Sequence, residues 1–176
     1  MALTVSYHPQ EFITENGFDA PLISIKSPKA EPFIYHPAWN QSKILKLEFD
    51  DIDYFHMHKD LTKYNFKLFD FEMGEKVLDV IYTAKINNEH VYINCEAGFS
   101  RSAGIAHYMF DKMDFKLLNG SDFYNRYVYD ILHLICCRQK GLLWLVKEKR
   151  IDTFQWFIKN HNDDILFKDE GGGDSD

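Results

Sequence analysis

The chain has 176 residues, 45% hydrophobic and 27% charged, with a formal net charge of −7. That length suits one domain with a substantial core, and the negative balance disfavours a nucleic-acid partner, because polyanion binding draws on Lys and Arg. No stretch is long and apolar enough to span a bilayer, and residues 1–7 lack the basic start and apolar run of a secretory signal, so the expectation is a soluble, cytoplasmic protein without a membrane partner.

In chain order, residues 3–7 read as a strand, Pro9 opens a turn or short helix, and residues 22–25 alternate with period two as a second strand. Pro28, Pro32 and Pro37 mark an irregular connection. Residues 44–49 form the next strand, which delivers Asp50, Asp51 and Asp53 at its C-terminal end, where open α/β sheets gather ligands. Residues 54–71 show no clear period and read as a long loop, with or without a short helix, of the kind that often serves as a lid.

Met73, Val77, Val80, Ile81 and Ala84 recur at helical spacing in a helix ending near Asn87 and Asn88. Residues 91–94 follow as a short buried strand, and small and apolar residues from Ser102 to about Met113 predict a buried helix. Ser121 is the candidate N-cap of the next helix, whose stripe is Phe123, Tyr127, Ile131 and Leu134. One or two amphipathic helices are expected after about residue 138, and the acidic, Gly-rich stretch 168–176 reads as a disordered tail. The fold class expected is α/β, with a central, mostly parallel sheet flanked by helices and a single domain over residues 1–167.

Between the strand at 91–94 and the helix after it lie Cys95, Glu96, Ala97, Gly98, Phe99, Ser100 and Arg101. A strand-to-helix turn aims backbone N–H groups and the positive end of a helix dipole at one spot, which makes an anion site. Arg101 adds a planar, permanently charged fork suited to phosphate oxygens, and Gly98 allows a tight turn. Helix terminus, loop N–H groups and guanidinium together favour the thiolate of Cys95, the form that attacks. Cys95 is thus a candidate nucleophile, Arg101 and the N–H groups of Glu96 to Arg101 candidate phosphate holders, and Ser102 a hydroxyl able to bond the sulfur.

The stretch VYINCEAGFSRS, residues 91–102, resembles the signature loop of cysteine-dependent protein tyrosine and dual-specificity phosphatases, H-C-x5-R-S/T. The resemblance extends over roughly residues 24–134. It implies a phosphatase-like fold and a compact, dual-specificity-like enzyme of the bacterial or phage type, with Cys95, Arg101 and Ser102 as nucleophile, phosphate-binding arginine and hydroxyl assisting breakdown of a phosphocysteine. Residues 45–53, LKLEFDDID, resemble the strand and acidic turn of the family's small members, and Asn125 matches the asparagine that packs behind the phosphate loop, with Tyr124 where proline often precedes it. Asn94 stands where the family has histidine. A general acid is also implied, with Asp51 the first choice, then Asp53, Asp50 and Asp60. The resemblance implies no metal or organic cofactor, and a phosphorylated protein or small phosphoester as substrate. A catalytically weak phosphate-binding module is the alternative, motivated by Asn94.

Other candidates have plainer readings. The three cysteines, Cys95, Cys136 and Cys137, do not make a disulfide framework and fit a reducing compartment. His56 and His58 are the one close histidine pair, read as a polar loop before a metal site. Cys136, Cys137, His107, His133, Trp39, Trp144 and Trp156 read as packing residues.

Overall fold

The computed structural model describes residues 2–53, 66–120 and 122–139. The chain falls into two compact units, Met1–His133 and Leu134–Asp176. The first carries a five-stranded parallel sheet in the order β3-β2-β4-β1-β5, so the fold is α/β, as expected.

The strands are β1 (Thr4–His8), β2 (Leu22–Lys26), β3 (Ile44–Glu48), β4 (Val91–Asn94) and β5 (Lys116–Leu117). Helix α1 (Gln10–Glu15) follows β1, α2 (Phe71–Asn87) precedes β4, α3 (Arg101–Met113) follows it, and α4 (Arg126–Gln139) comes last. A 3-10 turn, Gln41–Lys43, introduces β3.

Register separates two faces of the sheet. Val5 pairs with Val91, Tyr7 and Ile23 with Ile93, and Ile25 with Leu47, which puts these apolar side chains on one face. Helix α3 packs on β1 and β4, and α2 on β3. Val5, Ile23, Val91 and Ile93 are wholly buried, each worth about 1.5–3 kcal/mol of transfer free energy. The opposite face is mixed. Leu22 joins Ile13, Phe33 and Trp39 in a cluster under α1 and the 27–40 connection, where Trp39 donates from Nε1 to the Ile13 carbonyl at 3.0 Å. Ser6, His8, Ser24 and Asn94 share that face by register.

Caps fix the helix ends. Asp70 accepts from the Met73 N–H at 2.8 Å at the start of α2, and Asn88 ends it in the left-handed region. The start of α4 differs from the sequence expectation. Asn125 accepts from the Val128 N–H at 3.0 Å, so the helix begins at Arg126 and Phe123 lies before it. Ser121 lies outside the described residues, as do 54–65, Trp144, Trp156 and the tail. The two-residue strand β5 was too short to show a period in sequence.

Because the strands are parallel, His8, Lys26, Glu48 and Asn94 end on the same edge. The loop from Cys95 starts from that edge.

Candidate active site

Backbone contacts shape the loop first. The Gln10 N–H donates to the Glu96 carbonyl at 3.2 Å, and the Cys95 N–H to the His8 carbonyl at 3.4 Å. Gly98 turns with φ +71°, and a Cβ there would stand 2.2 Å from the Pro9 nitrogen and 2.5 Å from the His8 carbonyl carbon. Only glycine allows the chain to lie this close to β1. At the far end the Ser100 carbonyl accepts from the Gly104 and Asn125 N–H groups, at 2.9 and 3.1 Å. The loop is therefore held from both sides.

Cys95 is 1% exposed, and its Sγ lies 3.1 Å from the Ser102 Oγ. Arg101 is 4% exposed. Its Nη1 donates to the Ser27 Oγ at 3.1 Å and the Phe49 carbonyl at 2.8 Å, while Nη2 donates to the Glu96 carboxylate. Glu96 in turn accepts from the Ser27 N–H at 3.1 Å and Oγ at 3.0 Å. Burial alone would raise the Glu96 carboxyl, but the bonds from Arg101 and Ser27 and the arginine charge outweigh it and hold the group below its usual range. The carboxylate thus faces Arg101. Both terminal nitrogens of the guanidinium are engaged. The third, Nε, is buried and has no hydrogen-bond partner among the described residues.

Asp51 stands beside that nitrogen. Its Oδ1 accepts from Ser100 Oγ at 2.7 Å and Asn125 Nδ2 at 2.9 Å, and its Oδ2 lies 3.9 Å from Arg101 Nε. Asn125 Nδ2 also donates to the Ile52 carbonyl at 3.0 Å, so the wholly buried asparagine ties the acidic turn to the loop. The Asp50 Oδ2 is instead committed to the Lys67 N–H at 2.8 Å. Asp53 is half-buried in the same turn, and Asp60, His56 and His58 lie outside the described residues. Among the sequence candidates, Cys95, Arg101, Ser102, Asp51, Asn125 and the loop residues Glu96, Ala97, Gly98, Phe99 and Ser100 come together at this junction.

Several participants carried no sequence signal. Ser27 precedes Pro28 in an irregular segment, and only the fold brings its hydroxyl to Glu96 and Arg101. His90 bonds Thr4 Oγ1 through Nδ1 at 2.7 Å and Ser6 Oγ through Nε2 at 2.8 Å, and Ser6 reaches His8 Nε2 at 2.8 Å. Burial, then the neighbouring His90, lowers His8 from 6.5 to about 4, and burial lowers His90. The alternation of Thr4, Ser6 and His8 along β1 was the available clue. The side-chain amide of Asn94 is wholly buried, and neither its nitrogen nor its oxygen has a hydrogen-bond partner among the described residues. His107 stacks on Tyr124 at 4.4 Å, and Cys136 and Cys137 are buried. Among the described residues no group of three or more His, Cys, Asp or Glu could hold a metal ion, and no helix is long and apolar enough to cross a membrane.

Fold and site together define a parallel α/β protein with a Cys-x5-Arg loop at a strand-to-helix junction. No family model matches the chain, and no curated protein matches it. Among solved structures it is similar to that described as the crystal structure of Tk-PTP in the active form, with a TM-score of 0.42 and 13% identity over 90% of each chain.

Proposed function

We propose that the chain is a cysteine-dependent phosphoric monoester hydrolase of the protein tyrosine or dual-specificity type. The observation that carries this reading is the buried Arg101, whose Nε makes no hydrogen bond among the described residues, at the N-terminus of α3 in the loop that starts at Cys95. A buried guanidinium with a donor that makes no hydrogen bond suits an anion, and the Cys95 sulfur in the same loop is a nucleophile that can accept the anion's phosphoryl group.

In the first step the Cys95 sulfur attacks phosphorus as the ester P–O bond breaks, and Asp51 Oδ2 gives its proton to the departing oxygen. Loop N–H groups and Arg101 hold the equatorial phosphoryl oxygens. Water then attacks the phosphocysteine. The Asp51 carboxylate takes its proton, the P–S bond breaks, and the Ser102 hydroxyl, 3.1 Å from the sulfur, donates to the leaving thiolate. Ser100 and Asn125, both on Oδ1, leave Oδ2 for the proton. The substrates of this reading are phosphotyrosine or mixed phosphoproteins and small phosphoesters, and the work is done in the cytoplasm without metal or organic cofactor.

Hydrolysis of an aryl phosphate by the wild type and variants tests it. Cys95→Ser is expected to lose at least about a thousandfold in kcat, Arg101→Ala about a hundredfold or more, and Asp51→Asn about a hundredfold, with vanadate inhibiting the wild type. Equal phosphate release by wild type and Cys95→Ser would sink the proposal. A second reading, a phosphate-binding module with little turnover, is favoured by Asn94, whose side-chain amide makes no hydrogen bond among the described residues, in the position where the family carries histidine. It predicts phosphate binding by calorimetry without hydrolysis.

A further inference from the structure

Two adjacent carboxylates of the acidic turn after β3 are held in different ways. Asp51 is bonded to Ser100 and Asn125, whereas Asp50 is bonded to backbone. The Asp50 N–H donates to the Lys67 carbonyl at 2.7 Å and its Oδ2 accepts from the Lys67 N–H at 2.8 Å, so the two residues close a two-point clamp. Lys67 is itself tethered, with Nζ 3.5 Å from Oε1 of Glu48, the last residue of β3. The Asp50 carbonyl accepts from the Ile52 N–H at 3.0 Å, which makes a γ-turn with Asp51 at its apex. Beyond the apex Ile52 is buried, and its carbonyl accepts from Asn125 Nδ2. The backbone is thus tied down before Asp51 by Lys67 and after it by Asn125. With the backbone set, an aspartate has few rotamers left, and the two bonds to Oδ1 place Oδ2 3.9 Å from Arg101 Nε.

We infer, resting on the reading of Asp51 as the general acid, that Asp50 is its positioning residue: by clamping residue 67, the Asp50 carboxylate holds the γ-turn that presents Asp51 to the departing oxygen. A proton donor displaced by about 1 Å loses its line to that oxygen, and misplacements of this size cost up to about a hundredfold in rate. How much the proton matters depends on the leaving group. Phenolate departs poorly without it, whereas p-nitrophenolate is a weaker base and departs with less help. A loss that grows as the leaving group worsens is therefore the mark of a misplaced acid, and general loosening of the fold does not produce it. The clamp needs only an acceptor oxygen, which an asparagine side chain offers in nearly the same place. A residue that gave the proton itself would not tolerate that change.

The test is kcat/KM of the full chain, which covers the steps up to cleavage of the ester bond, on phenyl phosphate and p-nitrophenyl phosphate. Asp50→Ala should lose about tenfold on phenyl phosphate and about twofold on p-nitrophenyl phosphate, and Asp50→Asn should stay within about twofold of wild type on both. In an Asp51→Asn background, Asp50→Ala should cost about twofold or less on either substrate, because the group it positions no longer carries a proton. Equal losses on the two substrates for Asp50→Ala, or no loss, overturn the inference. So does a loss for Asp50→Asn as large as that for Asp50→Ala, which would make Asp50 the acid. If Asp51→Asn alone leaves phenyl phosphate hydrolysis intact, the inference falls while the hydrolase reading stands. Equal turnover by wild type and Cys95→Ser removes both.

Discussion

The two faces of the central sheet differ in what they ask of neighbouring residues. Ile93 and Asn94 are adjacent on β4 and both are wholly buried, yet they point to opposite sides. Ile93 meets Tyr7 and Ile23 on a face of aliphatic and aromatic packing. Asn94 shares its face with His8 and Ser24, in a region of hydroxyls and imidazoles. One face therefore carries α3 on apolar residues, while the other combines the apolar cluster under α1 with the polar neighbours of Asn94.

The largest expected effect breaks the apolar face. Ile93→Ala should lower unfolding free energy by about 2–5 kcal/mol in a urea titration, because a cavity opens among side chains on neighbouring strands that cannot collapse fully. A loss well below that range would mean that the face is looser than its burial indicates.

Acid sharpens the contrast from the other side. His8 takes its proton less readily in the folded protein, at about 4 against the ordinary 6.5. Between those values the unfolded chain binds more protons, so stability should fall as pH drops from 6.5 to 4 and this contribution should flatten below it. His90 acts in the same direction. Replacing His8 with Gln should make the urea midpoint less dependent on pH over that window, and an unchanged pH profile would refute the assignment. Glu96 adds a separate loss lower down, below the ordinary 4.5, as its paired carboxylate is protonated.

The smallest effect is a gain. Asn94→Leu replaces a buried amide that makes no hydrogen bond among the described residues with an apolar group of similar size, and should raise stability by about 1 kcal/mol. Destabilisation of that size would show that the amide is satisfied in solution by a partner such as an internal water.

The same contrast explains what the sequence made legible. The strands at 22, 44 and 91, the helix carrying Met73 to Ala84 and the helix from Ser102 announce themselves through apolar patterning, because burial imposes it. Cys95, Arg101 and Ser102 are close in sequence, so their association needed no knowledge of the fold. Asp51 could be placed only as one of several acidic residues, since its distinction from Asp50 lies in hydrogen bonds to Ser100 and Asn125, both remote in sequence. Phe123 was assigned to the stripe of α4 because an exposed aromatic residue at helical spacing looks like a buried one. Ser27 and the Thr4–His90–Ser6–His8 chain escaped notice because small polar residues read as solvent-facing until register turns them inward.

The position of Glu96 has a further consequence for how an anion reaches the loop. Its carboxylate offsets the guanidinium charge locally, and the chain as a whole carries a formal −7. Such a molecule projects little attraction toward a distant dianion, so encounter depends on diffusion to a fixed, short-range site. On the proposed function, recognition is then a matter of fit at contact, and dissolved salt, by screening the overall negative field, eases the approach of a phosphorylated ligand.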